Sequence, residues 1–304
     1  MKTGKYLCLG MAALAFAACS NEEDVTNNSP VAAQVSAGIE RVQTRAYDQT
    51  WEVGDQIGIS CTSEKGDTEY TNRLYTISNA ESGSFTNETN PIFFQDLEEV
   101  TFSAYYPYST NMQEGIITKT ITGTDAQKDI DYMFATGATA SKADPYVNFT
   151  NEDGVDACFK HRMSRLSFTF NQGDDTDLKN MTDFTISGLK MKGTFDTTDG
   201  TAKVADNAET ADLTITETPS ASNTYSRSLI VFPQTVTGKQ FTLSLTLGGQ
   251  PYSTTLNIPN GADALTTGND YTYTITVNKT KIVVSKSSID AWGDGGSGSG
   301  SAEM

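Results

Sequence analysis

The sequence predicts an all-β protein built from two β-sandwich domains, and three observations carry this prediction. Apolar residues recur at every second position in most windows, which is the period of a strand with one buried face. Turn sequences such as Asp199-Gly200, Gly248-Gly249 and Asn260-Gly261 separate these windows. The chain has 304 residues, and what remains after an N-terminal leader is long enough for two domains of ordinary size.

The leader comes first and has the layout of a bacterial secretory signal. Two lysines precede an apolar run from Tyr6 to Phe16, and Ala17-Ala18 stands directly before Cys19. The run is too short to span a bilayer as a helix and fits a cleaved signal. Because Ala-Ala-Cys at this place resembles the lipobox, residues 1–18 are predicted to be a lipoprotein signal peptide. Cys19 would then carry the lipid that holds the chain to the outer membrane.

An acidic run, Glu22-Glu23-Asp24, follows Cys19. It resembles the signal that sends lipoproteins of some Gram-negative anaerobes to the outer face of the outer membrane, and a solvated linker is the alternative reading. Both remain open. Residues 20–30 as a whole are polar and acidic, which predicts a flexible tether.

A strongly alternating segment follows the tether. A strand here would present five apolar side chains on one face. Arg41 and Arg45 come directly after it, and from the residues alone they are two solvated charges near a strand end. The five apolar positions are Val31, Ala33, Val35, Ala37 and Ile39.

Five further windows alternate in the same way, and threonines occupy many of their polar positions, as expected for strands whose second face meets water. One window, with Phe159, Met163 and Leu166, has helical spacing and predicts a short helical turn. The windows with strand alternation cover residues 57–61, 100–106, 166–170, 241–247 and 271–277.

The joint between the two domains is placed at the loop Asn151-Glu152-Asp153-Gly154, the best loop near the middle of the chain. The predicted domains are therefore residues 46–158 and 159–292. Residues 293–304 are rich in glycine and serine and are expected to be disordered.

Charge and cysteine content restrict the partners. The formal net charge is −17 and the sequence pI is about 4.4, so the surface repels phosphates and nucleic acid is not an expected partner. Once Cys8 and Cys19 are assigned to the leader and the lipid, Cys61 and Cys158 remain. An export compartment permits a disulfide between them. Burial as two small hydrophobes is favoured, because Cys61 continues the apolar alternation of its strand.

The sequence offers little catalytic chemistry. His161 is the only histidine, which excludes any His-based metal cluster, and no metal or cofactor is expected. The pairs Glu98-Glu99 and Asp174-Asp175 are adjacent residues that point to opposite faces of a strand, unlike the facing carboxylates of glycosidases. The chain is therefore predicted not to be an enzyme. Three tyrosines either form an aromatic platform for glycans or pack with their hydroxyls at the rim: Tyr105, Tyr106 and Tyr108.

Several motifs together resemble the fimbrillin family of surface pilins, the subunits of type V pili. They run in family order over nearly the whole chain. The motifs are the lipobox ending at Cys19, Thr44-Arg45-Ala46, the run from Trp51 to Ile59, Tyr105-Tyr106-Pro107-Tyr108, Phe159-Lys160-His161 leading to Leu166-Ser167-Phe168, and the run from Gly268 to Val277 followed by Ile289-Asp290-Ala291-Trp292.

The resemblance implies two transthyretin-like Greek-key β-sandwiches in tandem and export as a surface lipoprotein. It also implies that an arginine-specific surface protease cuts between Arg45 and Ala46. Residues 19–45 would then leave with the lipid and the first strand, and a strand from another pilus subunit would fill the vacant groove. Physics supports the scheme, since a missing strand exposes an apolar slot and two unpaired edges, and one partner strand repairs both.

One end of the chain departs from a stalk pilin. A donor segment needs apolar side chains on alternate positions, whereas only small or polar residues and Met304 follow Trp292. This predicts a tip or accessory subunit that accepts a strand and offers little to donate, with a surface receptor or glycan as a further partner. The main alternative is a glycan-binding lipoprotein of a nutrient-uptake system that keeps its Cys19 lipid, and an outer-membrane hydrolase is the third.

Overall fold

A computed structural model describes residues 29–40, 50–152 and 155–292. Within these ranges the regular structure consists of strands and four short 3-10 turns, at Gln127–Asp129, Leu178–Asn180, Thr237–Lys239 and Pro259–Gly261, and no helix there is both long and apolar enough to cross a bilayer. The prediction of an all-β protein is confirmed. In chain order the strands are β1 Val31–Ala32, β2 Gln34–Ala37, β3 Gln56–Thr62, β4 Glu69–Asn79, β5 Ser84–Thr86, β6 Phe93–Phe94, β7 Val100–Tyr106, β8 Ile116–Thr120, β9 Met133–Ala140, β10 Tyr146–Phe149, β11 Asn151–Glu152, β12 Val155–Asp156, β13 Lys160–His161, β14 Ser164–Gln172, β15 Met181–Lys190, β16 Lys192–Asp196, β17 Ala202–Val204, β18 Thr210–Ile215, β19 Thr224–Val231, β20 Gln234–Thr235, β21 Gln240–Leu247, β22 Gln250–Asn257, β23 Ala264–Leu265, β24 Asn269–Asn278 and β25 Lys281–Ala291.

The chain forms two compact units. Among the described residues, the first unit holds 29–39, 50–104 and 136–159, and the second holds Glu40, 105–135 and 160–292. A contiguous division at residue 158 therefore misplaces residues 105–135. They cluster with the second unit because β8 pairs along its whole length with β16, from Ile116 opposite Asp196 to Thr120 opposite Lys192. That pairing joins residues about 75 positions apart, which no local pattern shows.

The first unit is organised around one mixed sheet. Its strand order is β10, β2, β5, β4, β3, β7 and β9. The β2–β10 pair is parallel, whereas β2–β5, β4–β5 and β3–β4 are antiparallel. The small two-stranded sheets β1–β6 and β11–β12 complete the unit. The first strand thus lies inside the sheet.

The second unit is a sandwich of two four-stranded sheets. One sheet has the order β19, β14, β24, β25 and the other β18, β15, β21, β22. Aromatic rings from the two sheets interlock in the core: Phe168 lies 5.6 Å from Tyr273 in its own sheet and 6.0 Å from Phe184 in the facing sheet. The predicted β-sandwich architecture is confirmed here. A third sheet, of order β17, β16, β8, also belongs to this unit.

The strand windows predicted from alternation all lie in strands, namely β3, β7, β14, β21 and β24. The predicted helical turn is wrong. Leu166 lies in β14, whereas Phe159 directly precedes β13 and Met163 directly precedes β14. Met163 and Leu166 are both fully buried in the second unit's core. The three apolar residues fit helical spacing by coincidence. Buried residues on either side of the short gap between two strands can have the same spacing as one face of a helix.

Candidate functional site

The candidate functional site is the groove that holds the first strand. β2 pairs with β10 on one side, where Val35 lies opposite Val147, and with β5 on the other, where Val35 lies opposite Phe85. Because β2 is an interior strand, its removal would leave an unpaired edge on each neighbour. We call this slot, lined by β5 and β10, the first-strand groove.

Backbone hydrogen bonds hold the strand on both sides of the groove. Gly38 N donates to Phe149 O at 2.9 Å, and Ala37 N donates to Gly83 O at 2.9 Å. Ala33 N donates to Ile92 O, also at 2.9 Å. Any occupant of the groove must offer the same alternating donors and acceptors, which an extended backbone supplies whatever its sequence.

Side chains of the first strand alternate as the sequence predicted. Ala33, Val35, Ala37 and Ile39 are buried, with exposures of 4–7%, whereas Gln34 is exposed. Val31 is half-buried at the start of the segment. The buried side chains form a row along the core face of the groove, with small and branched residues alternating. That these residues leave during assembly stays a prediction.

Aromatic rings close the core under the row. Trp51 packs edge-on against Phe85, with 5.0 Å between ring centroids, and against Phe159 at 5.2 Å. Phe149 lies 5.8 Å from Phe159 and completes the cluster. The Trp51 indole Nε1 donates a buried hydrogen bond to Ala37 O at 2.7 Å. The cluster therefore bonds directly to the backbone of the first strand.

Gly83, directly before β5, lies very close to the backbone of the first strand. Its φ is +66°, and a Cβ at this position would lie 2.2 Å from Ala37 O. Only glycine permits both the backbone conformation and the close approach. Sequence reasoning missed this residue, although the loop sequence Glu81-Ser82-Gly83-Ser84 is a turn signal.

Three predicted site residues, Cys19, Arg45 and Ala46, lie outside the described residues. Cys61 and Cys158 are described, and both are buried and not disulfide-bonded. Burial raises the pKa of the Cys61 thiol to about 12, against an ordinary value of 9.0. The favoured reading of these cysteines as buried hydrophobes fits this structure, since a neutral thiol behaves as a small apolar group.

The tyrosine platform is not formed. Tyr105 and Tyr106 are buried and Tyr108 is half-buried, and Tyr105 Oη donates to Ser109 O at 3.0 Å. Packing with a bonded hydroxyl, the alternative reading, describes Tyr105. In the acidic run near Asp174-Asp175, the carboxylate of Asp177 accepts a hydrogen bond from Lys179 N and caps a 3-10 turn.

His161 is buried in the second unit beside the end of the last strand. Its Nδ1 lies 2.9 Å from the Asp131 carboxylate, and its ring stacks on Trp292 with centroids 4.0 Å apart and 9° between planes. The guanidinium of Arg165 lies 4.8 Å from the Trp292 ring and 2.9 Å from Asp270. These contacts anchor Trp292 in the second unit, and we call them the Trp292 clamp.

The strand before Trp292 is firmly part of its sheet. β25 pairs with β24 from Lys281 opposite Asn278 to Ala291 opposite Asn269, and Ile282 is buried. It is an edge strand with one neighbour in the sheet order. The segment that would have to leave in order to act as a donor is therefore held over its full length.

Comparison with known proteins identifies the family. The family model described as "Fimbrillin-like" matches residues 44–292. The chain belongs to the fimbrillin-like family. The resemblance stated from the motifs is confirmed, and the family is one of fimbrial structural subunits.

Individual relatives agree with this assignment. A Bacteroides uniformis protein named "Putative fimbrium subunit Fim1C" is 32% identical over 318 residues and matches all of both chains. Two crystal structures, each of a protein named a "putative cell adhesion protein", share the fold. The one from Bacteroides ovatus has a TM-score of 0.69 at 26% identity, covering 87% of this chain and 98% of that one. The other, from Bacteroides uniformis, has a TM-score of 0.67 at 29% identity, covering 86% and 99%.

Proposed function

We propose that this fimbrillin-like chain is a tip or accessory subunit of a cell-surface fimbria that accepts a donor strand in its first-strand groove. The observation that carries the proposal is the interior position of β2 between β10 and β5. A strand at a sheet edge can leave and expose one edge. A strand between two neighbours leaves two unpaired edges and an apolar slot, which only another strand fills.

The size of the vacancy supports strand exchange. Val35 and Ile39 are buried, and Val31 is half-buried. Burial of each such side chain is worth roughly 1.5–3 kcal/mol when complete. Loss of the strand therefore leaves a deficit of several kcal/mol, which gives a donor its driving force. The uncleaved chain fills its own groove and stays monomeric.

Processing sets the order of events in this proposal. The lipid on Cys19 carries the subunit to the outer membrane, and an arginine-specific protease then cuts between Arg45 and Ala46. The released piece takes with it the lipid and Val31 to Ile39, so that anchoring and self-filling of the groove end in one step. Adhesion by the assembled fimbria is part of the proposal, since two structural relatives are each named a "putative cell adhesion protein".

The acceptor-only role rests on the last strand. β25 is paired along its length with β24, and the Trp292 clamp holds its end. Residues 293–304 contain only Gly, Ser, Asp, Ala, Glu and Met. Neither segment offers a free row of alternate apolar side chains, which supports a subunit that receives a strand but does not give one.

Mass spectrometry of the subunit taken from sheared fimbriae tests the proposal. We expect Ala46 at its N-terminus. The Arg45→Lys variant should retain residues 19–45 and be missing from fimbriae, because an arginine-specific protease does not cut after lysine. The matched Arg41→Lys variant should behave as the parent. A fimbrial subunit that begins with a lipidated Cys19 would overturn the processing scheme and favour a lipoprotein that keeps its anchor.

A further inference from the structure

We infer that the first-strand groove selects its donor by side-chain size, and this inference rests on the proposed function. The accepted strand carries an aliphatic residue, a residue no larger than alanine and a second aliphatic residue on alternate positions. The small residue takes the place of Ala37 beside Trp51. The partner is a strand of a different polypeptide with this pattern.

The size rule follows from two rows of residues that cross the groove on its core face. In the first row Val35 lies between Val147 of β10 and Phe85 of β5. In the second row Ala37 lies opposite Phe149, and its N–H bonds to Gly83 O on the other side. Alanine and glycine are therefore neighbours, and they leave space over the sheet that a larger pair would fill.

Trp51 contacts the strand at this position. Its indole Nε1 reaches Ala37 O at 2.7 Å, and its ring is fixed edge-on between Phe85 and Phe159. The ring is 6% exposed and has no room to retreat without disturbing both neighbours. A donor residue larger than alanine at the Ala37 position would have to displace the indole, because protein cores are close-packed.

The outer face of the groove sets no such limit. Gln34 is exposed, and a Cβ added at Gly38 would meet nothing closer than Thr150 Cγ2 at 3.9 Å. Positions between the buried residues therefore tolerate any side chain that suits a strand. Selection is confined to the inward row, and most sharply to the Ala37 position.

The chain itself does not repeat this pattern outside its first strand. In residues 50–292, no segment has Val, Ile or Leu, then Gly, Ala or Ser, then Val, Ile or Leu on alternate positions. The nearest match, Val155-Asp156-Ala157-Cys158-Phe159, ends in an aromatic residue that is buried in the first unit. Residues 50–292 of a second copy therefore offer no donor that satisfies the rule, which favours a donor from another kind of subunit.

Peptide competition tests the size rule without changing the protein. The full chain is cleaved after Arg45, unfolded in guanidinium and refolded with a fluorescent peptide of residues 29–40. Unlabelled peptides then compete with it: the parent sequence, an Ala37→Leu peptide and a matched Gln34→Leu peptide. We expect the Gln34→Leu peptide to compete within about threefold of the parent, and the Ala37→Leu peptide to be weaker by about tenfold or more, the usual scale of core over-packing.

The outcomes separate the two proposals. If the Ala37→Leu peptide competes as well as the parent, the size rule is overturned while strand acceptance stands. If the parent peptide itself fails to enter the refolded chain, strand acceptance fails and the rule falls with it. The uncleaved chain allows a second test, by denaturant unfolding, that needs no refolding with peptide. There, Ala37→Leu should lower the denaturant midpoint of the first unit and Gln34→Leu should not, and equal midpoints would contradict the rule.

Discussion

The first and last strands of this protein have opposite relations to their sheets. β2 has 4 residues and lies between two neighbours. β25 has 11 residues and lies at a sheet edge with one neighbour, where the Trp292 clamp holds its end. The shorter strand is therefore the interior one, and the longer strand lies at the edge of its sheet.

The difference teaches which end of the chain is exchanged. A short interior strand has few bonds of its own to break, yet its loss leaves two unpaired edges and a row of apolar vacancies. A long edge strand has many bonds to break, and its loss would expose only one edge. The first arrangement suits a strand that is removed and replaced, whereas the second suits a strand that stays in place.

The largest effect should come from a charge placed in the first-strand groove. In the uncleaved chain, Ile39→Asp removes a buried aliphatic side chain and puts a carboxylate in its place, at a residue whose backbone forms a β-bridge with Phe159. We expect the first unit to lose about 3–5 kcal/mol of unfolding free energy, from lost packing and an unpaired charge.

Guanidinium unfolding measures this loss, with Gln34→Asp as the matched control at an exposed position of the same strand. The control should stay within about 0.5 kcal/mol of the parent, as surface substitutions usually do. Equal losses for the two variants would mean that the first strand does not fill a groove.

A somewhat smaller effect is expected from Trp292→Ala at the other end of the chain. The change removes the ring on which His161 and Arg165 stack, and truncation of a buried aromatic residue costs about 3–5 kcal/mol. We expect a value near the lower limit, because Trp292 directly follows the end of β25 rather than lying within the strand.

The measurement is the unfolding free energy of the second unit, and Lys286→Ala in the exposed part of β25 is the control. If Trp292→Ala left the unfolding free energy unchanged, the Trp292 clamp would not stabilise the end of β25. The contrast between the two strands would then be wrong.

Gly83→Ala sharpens the comparison on the groove side. The new Cβ would clash with Ala37 O, and alanine disfavours the φ of +66°. We expect a loss of about 1–3 kcal/mol from the first unit, on the scale of a strained backbone position. Gly54→Ala provides the control, since Gly54 also has a positive φ, +97°, but has nothing within 4 Å of its Cβ position. A loss no greater than that of Gly54→Ala would show that the close approach to Ala37 is unimportant.

Much of the fold could be predicted because its strands bury one face. Alternation is visible in single windows, and it located β14, β21 and β24. Burial of Val35, Ala37 and Ile39 follows from the same signal. These features depend only on neighbours in the sequence, so a local pattern contains them.

The groove itself could not be predicted, because its walls come from distant parts of the chain. Ser36 Oγ bonds to Asn148 Oδ1 across 112 positions, and the parallel pairing of β2 with β10 leaves no mark on either sequence. The membership of residues 105–135 in the second unit has the same cause, the distant pairing of β8 with β16. The motif around Trp51 is visible in the sequence, but the bond from Trp51 to Ala37 O depends on the fold.

The smallest predicted effect concerns pH. Burial raises the pKa of Cys61 from 9.0 to about 12, so above pH 9 the thiol ionises in the unfolded chain but stays neutral in the folded one. Stability that is present below pH 9 is therefore lost as the pH rises towards 12. Between pH 9 and pH 10 the parent should lose about 1 kcal/mol more than Cys61→Ala in denaturant unfolding of the first unit. Parallel pH profiles for the two proteins would contradict this.

Hydrogen exchange after cleavage at Arg45 tests the central claim most directly, because one mass-spectrometric experiment follows both ends of the chain. When the first strand is released, we predict that amides of β5 and β10 lose protection and that β25 keeps its protection. Addition of the peptide of residues 29–40 should restore protection in β5 and β10 alone. The account would be contradicted if β25 opened first, or if β5 and β10 stayed protected with the groove empty.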